Sequence, residues 1–148
     1  KVIYLFENIL SGKEKEALEN LNELIENGMD PKNFLNDILE VLYLFSRRIS
    51  LGPIKKDISI SETELQMIDQ YSKNIDMQDI GIFWQLTIKT IDDLRIVGNE
   101  NLALEMYVLQ MMHLKNLDET KDKLNSDQIT PINENHTVKK KLRTANQI

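Results

Sequence analysis

Cysteine is absent from the 148 residues. That excludes disulfides, thiolate nucleophiles and thiolate-ligated metals together, and it is compatible with a reducing cytoplasm. Glycine (5) and proline (3) are scarce, so long helices with few breaks are expected rather than a turn-rich all-β fold. No apolar run approaches the roughly 18 residues of a membrane-spanning helix, and the opening carries no signal-peptide pattern. The chain begins on Lys1 and runs straight into an apolar helix, which reads as a piece of a longer protein. No G-x-x-x-x-G-K-[ST] phosphate loop occurs, so this segment is not expected to bind ATP by itself.

Residues that do chemistry are equally sparse. His113 lies on an apolar helix and reads as a structural histidine. His136 has no carboxylate or histidine cluster around it. Glu14, Glu16, Glu19, Glu23 and Glu26 fit the solvated face of one helix. Asp92 and Asp93 are expected to pair with Lys89 or Arg95 near a helix end. No Ser–His–Asp or Cys–His set can be assembled. A small helical enzyme is therefore a poor reading.

What is present is enough apolar residue, 41%, for one ordinary core. The net charge is −6. Residues 118–148 hold six basic and five acidic residues, so the body before them carries the acidic excess. An acidic body is a poor general binder of nucleic acid, whose phosphates need clustered Lys and Arg.

Apolar periodicity predicts six helical segments. The first spans Val2–Leu10 and ends at Ser11-Gly12. The second covers Lys13–Asn27, with Gly28 as its stop. Asp30 and Pro31 are the N-cap and first-turn residues of the third, which runs to about Ile49. Gly52-Pro53 then opens a loop of about eight residues. Ser61, with Glu64 three residues on, forms a capping-box pattern for the fourth, ending near Lys73. The fifth covers about Met77–Val97, and the sixth about Asn101–Leu117 behind Asn99 as cap. The fold expected is all-α, a compact bundle of five to six helices over 1–117. A polar tail at 118–148 is expected to be mobile, with a short residual helix near Val138–Leu142 and a Lys139-Lys140-Lys141/Arg143 cluster read as a solvated linker.

The third, fifth and sixth segments are apolar on more than one side. Either they are central helices covered by their neighbours, or part of their surface meets another subunit. Both readings hold together if they apply to different faces. In the sixth, Tyr107 and the Met pair Met111-Met112 suit an irregular partner surface. Arg47-Arg48 fits a helix C-terminus and equally an ion pair across a subunit contact.

The order of short motifs resembles domain III of the DNA polymerase III gamma and tau subunits. Leu5-Phe6-Glu7-Asn8-Ile9-Leu10-Ser11-Gly12 followed by Ala17-Leu18 resembles that family's opening. Gly28-Met29-Asp30-Pro31 resembles its G-x-D-P turn, and Leu39-Glu40 stands where it has LLE. Trp84-Gln85-Leu86 resembles its WQ-x-L. Ala103-Leu104-Glu105-Met106 resembles the x-x-EM of its last helix, after which Gln110 occupies the place of a family Arg. The similarity covers about residues 1–117 and not the tail.

The resemblance implies a cytoplasmic collar or oligomerisation domain of the bacterial clamp loader. ATP and Mg would be bound by an AAA+ module N-terminal to this segment, with no cofactor in the segment itself. The implied partners are other gamma/tau copies and the delta and delta-prime subunits. The sliding clamp and DNA would be met only indirectly, with no membrane and no small-molecule substrate. Candidate subunit contacts are Arg47, Arg48, Trp84, Glu105, Tyr107, Gln110 and Met111. The alternative is a stand-alone helical bundle acting as a protein- or peptide-binding adaptor.

Overall fold

The fold is taken from a computed structural model that describes residues 2–115 and 124. It contains α1 (Val2–Leu10), α2 (Glu14–Glu26), α3 (Pro31–Leu51), α4 (Glu62–Tyr71) and α5 (Met77–Asp93). A sixth helix, α6, is helical at every described position from 100 to 115. No strand occurs among the described residues. The architecture is all-α, as the periodicity requires. The chain divides into Lys1–His113 and Leu114–Ile148, and the bundle is the first of these units. The expected tail features, including Val138–Leu142, the lysine cluster and His136, lie outside the described residues.

Local chemistry sets the boundaries. α1 and α2 end in the same way. Gly12 N–H reaches Ile9 O and Lys13 N–H reaches Asn8 O, while Gly28 N–H reaches Ile25 O and Met29 N–H reaches Leu24 O. These paired bonds are Schellman caps, which need a left-handed residue. Gly12 (φ 75°) and Gly28 (φ 83°) supply it.

Asp30 caps α3 by accepting from the Asn33 N–H at 3.0 Å, with Pro31 in the first turn. Ser61 accepts from the Glu64 N–H at 3.2 Å, and Asn99 accepts from the Leu102 N–H at 3.1 Å. The reciprocal capping box sits at α5: Asp76 accepts from the Asp79 N–H at 2.8 Å, and Asp79 accepts from the Asp76 N–H at 3.3 Å. α5 stops at Asp93, short of Val97. Arg95 and Ile96 donate to Asp92 and Asp93, three residues back, which tightens the chain out of the α-helix before Gly98.

The core gathers around α3, which packs against α1, α4 and α5. Phe34, Leu35, Ile38, Leu42 and Phe45 form its inner face and are buried. Phe45 meets Phe6 of α1 with ring centroids 5.6 Å apart. Phe34 meets Tyr107 of α6 edge-on at 6.5 Å. Each large apolar side chain removed from water here contributes roughly 1.5–3 kcal/mol.

One polar thread crosses this core. Thr87 on α5 donates to the Phe83 carbonyl at 2.7 Å. Its single proton being used there, Thr87 accepts from the Tyr107 hydroxyl, also at 2.7 Å. Among the described residues no buried side-chain polar atom lacks a partner. Burial pushes the Tyr107 phenol well above its ordinary pKa, and the Thr87 hydrogen bond opposes this in part.

Candidate protein–protein interface

α6 has two apolar faces, and only one is spent on the core. Leu104, Tyr107, Val108, Met111 and Met112 recur at i, i+3, i+4, i+7 and i+8 and are buried. Leu102 (59% exposed), Met106 (55%) and Leu109 (44%) form a second stripe in solvent. Leaving such side chains in water forgoes the stabilisation that burial gives, and a partner that covers them recovers it.

That second stripe is one wall of a groove. The opposite wall comes from the end of α5, with Lys89, Thr90, Asp93 and, beyond the helix, Val97. The cavity between them is about 380 Å³. Its side chains are apolar along Leu102, Met106 and Leu109, with Lys89, Asp93, Glu105 and Gln110 supplying polar groups. Thr90 is buried and donates to the Leu86 carbonyl at 2.8 Å, so it contributes its methyl side rather than a free hydroxyl. Further along α5, Met77, Trp84 (40% exposed) and Ile88 recur at helical spacing as another exposed apolar stripe.

The seven positions chosen from sequence fall into different environments. Glu105, half-buried, and Gln110, exposed, are brought together in the groove. Trp84 is on the α5 stripe. Arg47 is exposed at the end of α3 and makes no ion pair among the described residues. Arg48 is half-buried and engaged within its own chain, its Nε 2.8 Å from Asp69 Oδ1, which ties α3 to α4.

Tyr107 and Met111 do not offer surface. They are 1% and 0% exposed, because the core stripe of α6 passes through them. Their expected place at a subunit contact is corrected to a place in the bundle's own core. The exposed Leu102, Met106 and Leu109, on another face of the same helix, are the surface that α6 offers instead. Their spacing was visible, but only the neighbours of α6 decide which of its two stripes stays open.

The pairing expected of Asp92 or Asp93 with Lys89 or Arg95 is also absent. The ion pair found among the described residues is Arg48–Asp69. Asp93 instead stands free to face the groove beside Lys89. His113 is exposed. No group of three His, Asp or Glu side chains converges among the described residues, and no described helix is long and apolar enough to cross a membrane.

The family model of DNA polymerase III subunits gamma and tau domain III matches residues 1–126. The chain belongs to this family. No curated protein matches it. Gamma/tau domain III membership gives the chain a role in DNA replication as part of a clamp-loader subunit. The match covers the whole helical bundle, with the groove between α5 and α6 inside it.

Proposed function

We propose that this gamma/tau domain III acts as a collar module, a non-catalytic helical wedge. It would join other gamma/tau copies and the delta and delta-prime subunits and hold AAA+ modules in a ring. That ring would load the sliding clamp onto DNA. In this reading ATP and Mg belong to the AAA+ module, the work is cytoplasmic, and DNA and the clamp are met only indirectly.

The observation that carries the reading is the open apolar stripe of α6. Leu102, Met106 and Leu109 stay exposed on a helix whose opposite face is fully packed. A ring built head to tail needs two different adhesive faces on each wedge. Exposed Trp84 and Gln110 and half-buried Glu105 on the α5–α6 side, and Arg47 at the far end of α3, are the assigned contact residues. Arg48 supports Arg47 by fixing the end of α3 through Asp69.

The test is co-purification of the chain, within its full-length subunit, with delta and delta-prime. Formation of a stable mixed complex is expected. Failure to associate at any concentration contradicts the proposal.

A further inference from the structure

The α5–α6 groove is acidic as well as apolar. It holds two carboxylates, Asp93 and Glu105, against one ammonium, Lys89. Its apolar side chains Leu102, Met106 and Leu109 are open to solvent.

A second surface of the same chain has the opposite character. At the C-terminal end of α3, Tyr43 (55% exposed), Arg47 and Leu51 (76%) share an exposed face at i, i+4 and i+8. The loop that follows carries exposed Lys55, Lys56 and a wholly exposed Ile58. Its carboxylate, Asp57, accepts from the Ile58 N–H and keeps its negative charge in solvent, and Glu62 and Glu64 follow in the first turn of α4. Arg47, Lys55 and Lys56 thus outnumber the one carboxylate of this segment, Asp57, beside exposed Leu51 and Ile58, while Glu40 lies two turns back on α3. This segment carries a positive excess, and the groove carries two carboxylates against one ammonium.

We infer that the end of α3 and the 52–61 loop of one copy dock into the α5–α6 groove of a second copy. This rests on the assembly reading above and names the two faces of the joint. Ile58 and Leu51 cover Leu102, Met106 and Leu109, while Arg47 and the loop lysines meet Asp93 and Glu105. Because the two faces differ, the joint is head-to-tail and leaves one free face at each end of an assembly. Opposite charges at the rim fix register and favour encounter, and like charges set there oppose it.

A charge exchange tests this. Arg47→Glu and Glu105→Arg are made separately in the full chain, and self-association is followed by sedimentation equilibrium at about 0.1 M salt, where rim charges act over roughly 10 Å. Each position is exposed or half-buried in the bundle, and circular dichroism confirms that each variant is folded. Each single variant is expected to self-associate at least about tenfold more weakly than wild type, since like charges then face each other.

Mixing the two variants rebuilds a wild-type joint between Arg47 of one and Glu105 of the other. Association should then return to within about threefold of wild type, a small part of that like-charge penalty. Self-association that neither variant weakens, or that the mixture fails to restore, overturns the proposed joint. If the variants behave in that way while the chain still binds delta and delta-prime, this inference falls and the collar reading stands. If nothing associates at all, both fall.

Discussion

Replacing Thr87 with valine removes the acceptor for the buried Tyr107 hydroxyl while keeping the side chain's shape. Thr87 is 0% and Tyr107 1% exposed, so water does not take over the hydrogen bond. A buried donor left unmet costs roughly 1–3 kcal/mol. Tyr107→Phe removes the donor instead. Thr87 still donates to Phe83, the ring still meets Phe34 edge-on, and the loss is about 1 kcal/mol.

The two changes should therefore not add. In the double variant no donor is stranded, so it should be about as stable as Tyr107→Phe and more stable than Thr87→Val. The expected coupling is about 1–2 kcal/mol, inside the range seen for residues in direct contact. Urea unfolding followed by circular dichroism and by the fluorescence of Trp84, the one tryptophan, measures all four proteins. With a slope of about 2 kcal/mol/M, Thr87→Val lowers the midpoint by about 1 M. A double variant that loses the sum of the two single losses would refute the direct Thr87–Tyr107 hydrogen bond as a source of stability.

Gly28→Ala should cost about 1 kcal/mol in the same urea assay. Nothing crowds its Cβ, so the left-handed φ alone opposes it, partly offset by a less flexible unfolded chain. Arg48→Met should cost no more than about 1 kcal/mol, because the Arg48–Asp69 pair is partly solvated (24% and 56% exposed), and the difference should shrink at high salt. Stability should be independent of Tyr107 below pH 10.0, the ordinary tyrosine value, and decline above it. The unfolded chain gives up that proton first, because burial holds the folded phenol's pKa higher. Tyr71 acts in the same direction, raised first by burial and then by Glu7. Tyr107→Phe should flatten the alkaline decline, and a decline of unchanged steepness in that variant would count against the buried-phenol account.

Signals confined to a few neighbouring residues were legible in the sequence. Asp30-Pro31, Ser61 and Asn99 mark helix starts because a cap is a bond between residues three apart, and all three bonds are present. Asp76 carries a weaker signal, since its box is closed by Asp79 rather than by Glu or Gln. The end of α5 is not legible in the sequence, because Leu94 and Val97 continue the apolar period although Arg95 and Ile96 between them donate only three residues back.

The interface was half legible. Surplus apolar surface on α6 can be counted from sequence, but its direction cannot. Tyr107 and Met111 lie about one helical face away from Met106 and Leu109, and packing against α3 and α5 alone decides which pair is hidden. Arg47 and Arg48 are adjacent in sequence yet part company, one in solvent and one held by Asp69 on α4. That difference depends on where another helix sits.

Met106→Glu gives the most direct test of the assembly account, since Met106 is 55% exposed and its replacement leaves the bundle core untouched. Sedimentation velocity of the full-length subunit with delta and delta-prime compares wild type and variant. Co-sedimentation of the wild type, and a variant that stays folded but remains largely unassembled, is the predicted result. A folded variant that enters the complex as fully as wild type would contradict the claim that the open face of α6 is where this domain meets its neighbours.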